Sequence, residues 1–316
     1  MAGARARSEA AKFWVDALLA CPSCGGALVR DGASPHGVHR CAACGPYPRF
    51  AGVPVLVPRP SEWCASFREA VLASLAEVGE ATAAAVEVVD AFAAGAPHAE
   101  ARRFGDDWTA AESALTPGGS PLSPIRGEGQ GEGKRWTAAL SSLRKARGPS
   151  SWLVSKAPKS GTLLEVGCGA GHSSVAFAKR GARLVVGDLS LRAVLKARAR
   201  VRAAGGDVEG VVLDAEALPF RARTLDAVVA ENVVDLLEGP RDFLAAVKRV
   251  VKPRGRLLLT TPEPSLGTDD EDTLERLAKQ AGLHVTSRED GLVWTRVHSP
   301  RFIEVYVARA LELTAS

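Results

Sequence analysis

One ten-residue segment, from Leu163 to His172, restricts the fold of this chain more than any other. It reads Leu-Leu-Glu-Val-Gly-Cys-Gly-Ala-Gly-His and joins an apolar strand to a helix through a turn that contains Gly167, Gly169 and Gly171. Glycine lets the backbone pass close beneath a ligand, where any Cβ would clash. The segment therefore predicts a ligand site at the carboxyl end of a buried strand.

After Trp136 the chain alternates apolar strands with amphipathic helices. We predict strands at 163–166, 184–186, 211–213, 227–230 and 257–260, and helices at 173–180, 191–203, 242–251 and 273–281. Apolar strands that alternate with helices indicate a parallel sheet covered on both faces. Two further strands, near 283–286 and 303–308, have no convincing helix between them and predict an antiparallel edge. The predicted fold class is α/β, doubly wound, with a mostly parallel sheet.

Two acidic residues follow the next predicted strands. Asp188 lies 21 residues beyond Gly167, where a carboxylate can accept hydrogen bonds from both hydroxyls of a ribose. The alternative is that Asp188 caps the next helix, although Ser190 is equally well placed for that role. Asp214 ends the third strand, so both carboxylates are expected at the carboxyl edge of the sheet. A nicotinamide or flavin fingerprint is the rival interpretation, but it requires a glycine where this chain has His172.

Four motifs in this half of the chain resemble those of class I S-adenosylmethionine-dependent methyltransferases, particularly the type-11 methyltransferase domain. They are the glycine-rich turn, the acidic strand end at Asp188, the run Asp214-Ala-Glu-Ala-Leu-Pro-Phe220, and the run Lys248-Arg-Val-Val-Lys-Pro-Arg-Gly-Arg-Leu-Leu-Leu-Thr260. The resemblance covers residues 134–316. It implies S-adenosylmethionine as the cofactor and methyl transfer as the reaction.

The resemblance also implies roles for particular residues. Gly167, Gly169 and Gly171 would surround the methionine moiety, Asp188 would hold the ribose, Asp214 and Ala215 would contact the adenine, and Glu165 would orient the glycine turn. Glu231, Asn232 and Asp235 are candidates for lining the site, or else polar residues that start a helix. The family often places a histidine after strand four, where this chain has Leu236. No catalytic base is therefore assigned.

Near the N-terminus, Cys21, Cys24, Cys41 and Cys44 form two Cys-x-x-Cys pairs separated by 16 residues. Two such pairs can close a tetrahedral four-thiolate zinc site, and four protein ligands leave no open position for catalysis. We therefore predict a structural zinc ion. Chance cysteines or an iron centre are the alternatives.

The surrounding segment, residues 16–58, resembles the small zinc-ribbon activator subunit of tRNA, ribosomal RNA and release-factor methyltransferases. The resemblance rests on the run Leu18-Leu-Ala-Cys-Pro-Ser-Cys-Gly-Gly-Ala-Leu28 and the run Tyr47-Pro-Arg-Phe-Ala-Gly-Val-Pro-Val-Leu-Val57. It implies a role for the ribbon in methylation of macromolecules.

Two segments connect the predicted domains. Apolar residues at helical spacing predict a helical cap or connector over 61–115, in which Trp108 either belongs to a lid or is buried in the helical cap. Residues 116–133 are rich in Gly, Pro and Ser and predict a disordered linker. Cys64 is expected in the core and Cys168 in the glycine turn, neither as a nucleophile.

Charge and hydropathy bear on the partners. The net charge is +4, and residues 1–60 carry that whole excess. This density of basic residues is too low for a stripe of Lys and Arg that contacts a nucleic-acid phosphate backbone. The sequence therefore favours a small-molecule acceptor, with RNA or protein recruited by the ribbon as the alternative and a non-catalytic binding module as a third possibility. The chain has neither an apolar run long enough for a membrane span nor a secretory signal, which predicts a cytoplasmic protein with no membrane partner. The sequence does not indicate an oligomeric state.

Overall fold

A computed structural model describes residues 13–95, 147–299 and 302–316. At 296–299 and 302–303 it describes the backbone only. The predicted linker at 116–133, the second half of the predicted helical segment 61–115, and Trp108 lie outside the described residues. So does the beginning of the predicted 134–316 domain.

Eleven strands make up one sheet in the described part of the chain. They are β1 (Leu28–Arg30), β2 (Gly37–Cys41), β3 (Gly45–Phe50), β4 (Val53–Leu56), β5 (Thr162–Val166), β6 (Arg183–Asp188), β7 (Val208–Leu213), β8 (Leu225–Glu231), β9 (Val251–Thr261), β10 (Leu283–Ser299) and β11 (Phe302–Ala315).

The described helices are α1 (Pro60–Ser66), α2 (Arg68–Glu77), α3 (Ala83–Ala93), α4 (Pro149–Lys156), α5 (His172–Ala178), α6 (Leu191–Ala203), α7 (Pro240–Val250) and α8 (Thr273–Gln280). Three short 3-10 turns are found at Trp14–Ala17, Ala215–Ala217 and Val234–Leu236. Ser190 caps α6, because its side chain accepts a hydrogen bond from the amide of Ala193.

The strand order is β1-β2-β3-β4-β7-β6-β5-β8-β9-β11-β10. Strands β4, β7, β6, β5, β8 and β9 run parallel to one another, whereas β11 is antiparallel to both β9 and β10. The predicted α/β class with an antiparallel edge is confirmed. Strand order reverses between β5 and β8, and ligands of doubly wound sheets bind at such a switch point, outside the carboxyl ends of the strands.

Both faces of the sheet are buried, as the apolar strands predict. One face packs on α7 and α8 through buried residues such as Leu164, Phe243 and Leu274. The opposite face packs on α4, α5 and α6 through residues such as Leu163 and Trp152. Because successive strand residues point to opposite faces, Leu163 and Leu164 belong to different core clusters.

The N-terminal segment contributes to the same sheet. Strands β1 to β4 form an antiparallel meander, and the last of them pairs in parallel with β7 through Val55↔Val212 and Leu56↔Leu213. Side chains of Phe50, Val55 and Leu56 are fully buried. The segment is therefore joined to the α/β core by backbone pairing as well as by apolar packing.

Helices α1 to α3 lie on the face that carries α6. Trp63 and Leu75 are buried in the same cluster as Leu191 and Val194 of α6. Arg192 of α6 forms an ion pair with Glu77 at 2.5 Å. These helices thus lie over the outer surface of α6. Among the described helices, none combines the length and the apolar character that crossing a membrane would require.

Candidate functional site

Four carboxylates meet at the carboxyl edge of the parallel strands. Glu165, Asp188 and Glu231 lie at or next to the ends of β5, β6 and β8, and Asp214 directly follows β7. All four line a cavity of about 470 Å³. This volume lies within the range of roughly 300–1,000 Å³ that is usual for small-molecule sites.

The glycine turn forms the floor of the cavity. Gly167, Gly169 and Gly171 all have positive φ, at 70°, 48° and 79°. Gly169 lines the cavity, and a Cβ built on it would meet no protein atom within 4 Å, so a ligand can approach its backbone.

Gly171 has a different role from the one that the family resemblance implies. It does not line the cavity, and a Cβ built there would lie 2.5 Å from the Cα of Ala197 in α6. It is needed for close packing between the start of α5 and α6.

Asp188 connects two loops that line the cavity, the glycine turn after β5 and the loop after β6. Its Oδ2 accepts a hydrogen bond from the amide of Gly169 at 3.1 Å, and its Oδ1 accepts one from the amide of Ser190 at 3.0 Å. Because the Ser190 side chain is the α6 cap, Asp188 does not have that role. The carboxylate instead lines the cavity beside the glycine turn.

Asp214 and Ala215 form the wall at the end of β7. Asp214 Oδ1 accepts a hydrogen bond from the amide of Glu216 at 2.9 Å and so starts the 3-10 turn that contains Ala215. Leu189 and Leu213 line the same part of the cavity. The combination of a fixed acid and apolar surface suits a flat heterocycle joined to a polar sugar.

Glu231 is held by two serines that the sequence did not single out. Ser150 Oγ donates to Glu231 Oε1 at 2.5 Å, and Ser173 Oγ donates to Oε2 at 2.7 Å. The two hydroxyl oxygens lie 3.1 Å apart. All three residues line the cavity, so this is a polar patch that brings α4, α5 and β8 together. Ser150 lies in α4, before the strand that leads into the glycine turn, and no sequence motif marks it.

Glu165 is the most deeply buried of the four acids, with 3% exposure. Burial raises its pKa to about 8. The hydrogen bond that Ser174 Oγ donates at 2.5 Å lowers the pKa by a smaller amount, and the nearby charges of Glu231 and Asp188 raise it slightly further. Ser174 belongs to α5, so this hydrogen bond fixes the helix that follows the glycine turn.

The two other polar candidates differ in position. Asn232 lines the cavity with φ of 53°, and its Oδ1 accepts a hydrogen bond from Thr260 Oγ1 at 3.0 Å. Asp235 does not line the cavity; it accepts a hydrogen bond from Thr261 Oγ1, and burial raises its pKa. Leu236, which occupies the position of the family's histidine, lies at the cavity and is 46% exposed.

The edge hairpin also reaches the cavity, through Trp294 of β10. The sequence predicted strands only near 283–286 and 303–308, whereas the hairpin runs from Leu283 to Ala315. The β-branched and aromatic residues in Leu292-Val-Trp-Thr-Arg-Val297 are typical of a strand and could have revealed the longer hairpin.

Trp63 connects α1 to the loop after Asp188. Its indole Nε1 donates to the carbonyl oxygen of Leu189 at 3.0 Å. Substituting Trp63→Phe should keep most of the packing, remove this hydrogen bond and lower the free energy of unfolding by roughly 1 kcal/mol. Hydrogen exchange should accelerate at 188–190. Phe67→Leu, which perturbs the neighbouring ring 5.6 Å away without touching the bond, is the control. Unchanged exchange at 188–190 in Trp63→Phe would show that the contact does not hold the loop.

The four N-terminal cysteines converge on one point. Their sulfur atoms all lie within 4.8 Å of one another, and Cys24 and Cys41 are 3.6 Å apart. Zn–S bonds of about 2.3 Å in a tetrahedron place the sulfurs ~3.8 Å apart, so the donor set fits such a metal.

Neighbouring groups support this cluster. The amide of Gly26 donates to Cys24 Sγ at 3.4 Å, and the buried Tyr47 hydroxyl lies 3.0 Å from Cys21 Sγ. Hydrogen-bond donors of this kind orient metal-binding thiolates.

Residues 164–259, which contain most of the strands and loops that line this cavity, match the family model described as a methyltransferase domain. The matched segment begins within β5 and ends within β9, and it includes all the cavity residues that the sequence predicted to bind the cofactor.

Two curated proteins and one solved structure illustrate the similarity. The chain is 34% identical over 109 residues to the mitochondrial ubiquinone biosynthesis O-methyltransferase of Schizosaccharomyces pombe, over 31% of this chain and 37% of that protein. It is 32% identical over 141 residues to a malonyl-[acyl-carrier protein] O-methyltransferase of Methylovorus sp., over 42% and 46%. A SAM-dependent methyltransferase structure from Aquifex aeolicus is 20% identical, with a TM-score of 0.43, over 56% and 98%. The chain spans less than half the length of these two curated relatives.

Proposed function

We propose that this protein is an S-adenosylmethionine-dependent methyltransferase that acts on a small-molecule acceptor. The observation that carries the proposal is the cavity itself. Its described lining lies largely in the matched segment, contains Asp188, Asp214 and Glu231 besides the mostly protonated Glu165, and includes neither lysine nor arginine. A cavity of that charge favours a cationic ligand, as a sulfonium with an α-ammonium group is.

The proposed roles follow the geometry. Asp188 would accept hydrogen bonds from the ribose hydroxyls, Asp214 and Ala215 would contact the adenine, and Gly167 and Gly169 would pass beneath the methionine part. Glu231, with Ser150 and Ser173, would face the α-ammonium group. Glu165 would fix α5 through Ser174, and with it the glycine turn.

Bound S-adenosylmethionine would supply an activated methyl group, whose bond to sulfur breaks as a lone pair of the acceptor forms the new bond. The proton that the acceptor gives up would pass to water or to a nearby carboxylate. The protein's contribution is to align the acceptor with the methyl carbon and exclude water. This explains why the cavity can serve without a conspicuous catalytic base.

A small-molecule acceptor is supported by the sparse basic charge of the chain and by the name of one relative, the ubiquinone biosynthesis O-methyltransferase. We further propose that Cys21, Cys24, Cys41 and Cys44 hold a structural zinc ion and that residues 16–58 form a zinc ribbon. Four thiolates would leave the metal no open position for a substrate.

Substituting Asp188→Ala should weaken S-adenosylmethionine binding 30- to 150-fold, because losing charge-assisted hydrogen bonds costs about 2–3 kcal/mol. Titration calorimetry measures this directly. Asp90→Ala removes a surface carboxylate of α3 that pairs with Arg68 of α2, and this variant should bind S-adenosylmethionine like the wild type. A wild-type protein that binds a nicotinamide cofactor but not S-adenosylmethionine would contradict the assignment.

The acceptor class is tested with methyl-labelled S-adenosylmethionine and cell extract, followed by separation into RNA, protein and small metabolites. Label in the metabolite fraction is expected, and Asp188→Ala should abolish most of it. Label in RNA that disappears on nuclease treatment, or label in protein, would instead support macromolecular methylation.

A further inference from the structure

The hairpin of β10 and β11 extends beyond the rest of the sheet. Pairing of β11 with β9 ends at Arg309↔Thr261, at the carboxyl end of β9. The hairpin continues past that point with Ala308, Val307 and Tyr306 opposite Leu292, Val293 and Trp294. It therefore projects past the edge of the sheet at which the cavity opens.

Two aromatic rings lie on one face of this projection. Trp294 and Tyr306 are directly paired across the strands, with ring centroids 4.7 Å apart and planes tilted by 31°. The Tyr306 hydroxyl donates to Glu304 Oε2 at 2.9 Å. Contacts of this kind hold an aromatic ring at a defined angle.

The backbone beside Trp294 is fixed as well. The amide of Val293 donates to the carbonyl oxygen of Arg147 at 3.1 Å, next to the start of α4. Ser150 of α4 in turn contacts Glu231. Trp294 is thereby placed on the Glu231 side of the cavity, away from Asp214 and Ala215, which lie beyond the glycine turn.

Beyond the polar residues Glu231 and Asn232, the surface on this side is largely apolar. Val233, Leu236 and Leu237 line the cavity here, and Leu236 remains 46% exposed although it is a large aliphatic residue. Exposed aliphatic surface at a cavity favours an apolar ligand. The described lining has no lysine or arginine to balance a negative charge, and its acids disfavour one.

We propose that the methyl acceptor is an uncharged, planar aromatic compound that packs against Trp294 and the wall of Val233, Leu236 and Leu237. The inference rests on the proposed function, since it assigns the acceptor side of the same cavity. Tyr306 acts through Trp294 as a positioning residue. Stacking on Trp294 stabilises a bound planar ring, whereas the acids of the lining repel an acceptor that carries a carboxylate or a phosphate.

Three matched probes test this with the full-length protein saturated with S-adenosylhomocysteine, the demethylated cofactor. Naphthol is planar and uncharged, decahydronaphthol is uncharged but not planar, and hydroxynaphthoate is planar but anionic. By calorimetry, naphthol should bind at least tenfold more tightly than either analogue. Trp294→Ala should weaken naphthol at least tenfold and Trp294→Phe less than threefold, while S-adenosylhomocysteine affinity changes less than threefold in both.

Val305→Ala is the control variant, because Val305 lies on the opposite face of the same hairpin and is 46% exposed. It should bind naphthol like the wild type. Tyr306→Leu should weaken naphthol less than Trp294→Ala does, and by more than Tyr306→Phe, which keeps the ring stack.

The possible failures are distinguishable. If S-adenosylhomocysteine does not bind the wild-type protein, both the proposed function and this inference are refuted. If it binds normally but naphthol does not bind, binds no better than its analogues, or is indifferent to Trp294→Ala, the acceptor assignment alone is overturned.

Discussion

Replacing Cys21 and Cys44 together by serine should abolish metal binding and unfold residues 16–58. Structural zinc supplies ~10–16 kcal/mol of apparent folding free energy in small zinc domains, which is as large as the whole stability of an ordinary protein. The loss should spread into the α/β core, because β4 pairs with β7 and buries Val55 and Leu56. A large fall in melting temperature and faster hydrogen exchange in both strands are expected.

The matched control is Cys64→Ala, which removes a buried thiol outside the cluster. Elemental analysis should find one zinc per chain in the wild type and in Cys64→Ala, and none in Cys21→Ser, Cys44→Ser. A purified wild type with far less than one zinc per chain would refute the assignment. A double variant with an unaltered melting temperature would refute the structural role of the metal.

The second large effect concerns pH and Glu165. The pKa of this carboxyl is about 8 in the folded protein, against 4.5 as the ordinary value, because burial disfavours the ionised form. Between these values the folded state binds the proton more tightly than the unfolded state does. Stability from this group is therefore complete below pH 4.5 and is lost as pH rises towards 8, at ~1.4 kcal/mol per pH unit.

Glu165→Gln keeps the shape of the side chain and removes its titration. The difference in unfolding free energy between wild type and Glu165→Gln should thus move by roughly 4 kcal/mol against the wild type from pH 4.5 to pH 8. Urea denaturation at a series of pH values without added cofactor measures it. Parallel curves for the two proteins would show that Glu165 does not titrate in this range.

Local patterns predicted the parts of this fold whose determinants are local. Helix α6 begins and ends where the apolar spacing and the Ser190 cap place it, at Leu191 and Ala203. The convergence of Asp188 and Asp214 also followed from the sequence, because parallel strands bring their carboxyl ends to one edge. Their roles toward a cofactor stay predictions.

Features that depend on distant segments were not predictable in this way. Nothing near Val55 indicates that it pairs with Val212, and nothing near Ser150 marks a partner for Glu231. The length of the β10–β11 hairpin was underestimated because Glu289-Asp-Gly291 interrupts the apolar alternation. The structure has a register shift there, between Glu289 and Leu292, and the strand continues beyond it.

Pairing of β4 with β7 has a consequence for synthesis of the chain. Strands β4 and β7 are separated by roughly 160 residues along the chain. Because ribosomes add about 5–20 residues each second, β4 emerges some 10–30 s before β7. During that interval the N-terminal segment with the four cysteines has an apolar strand, β4, with one unpaired edge. A nascent chain of this kind should be most vulnerable to aggregation until β7 is released from the ribosome.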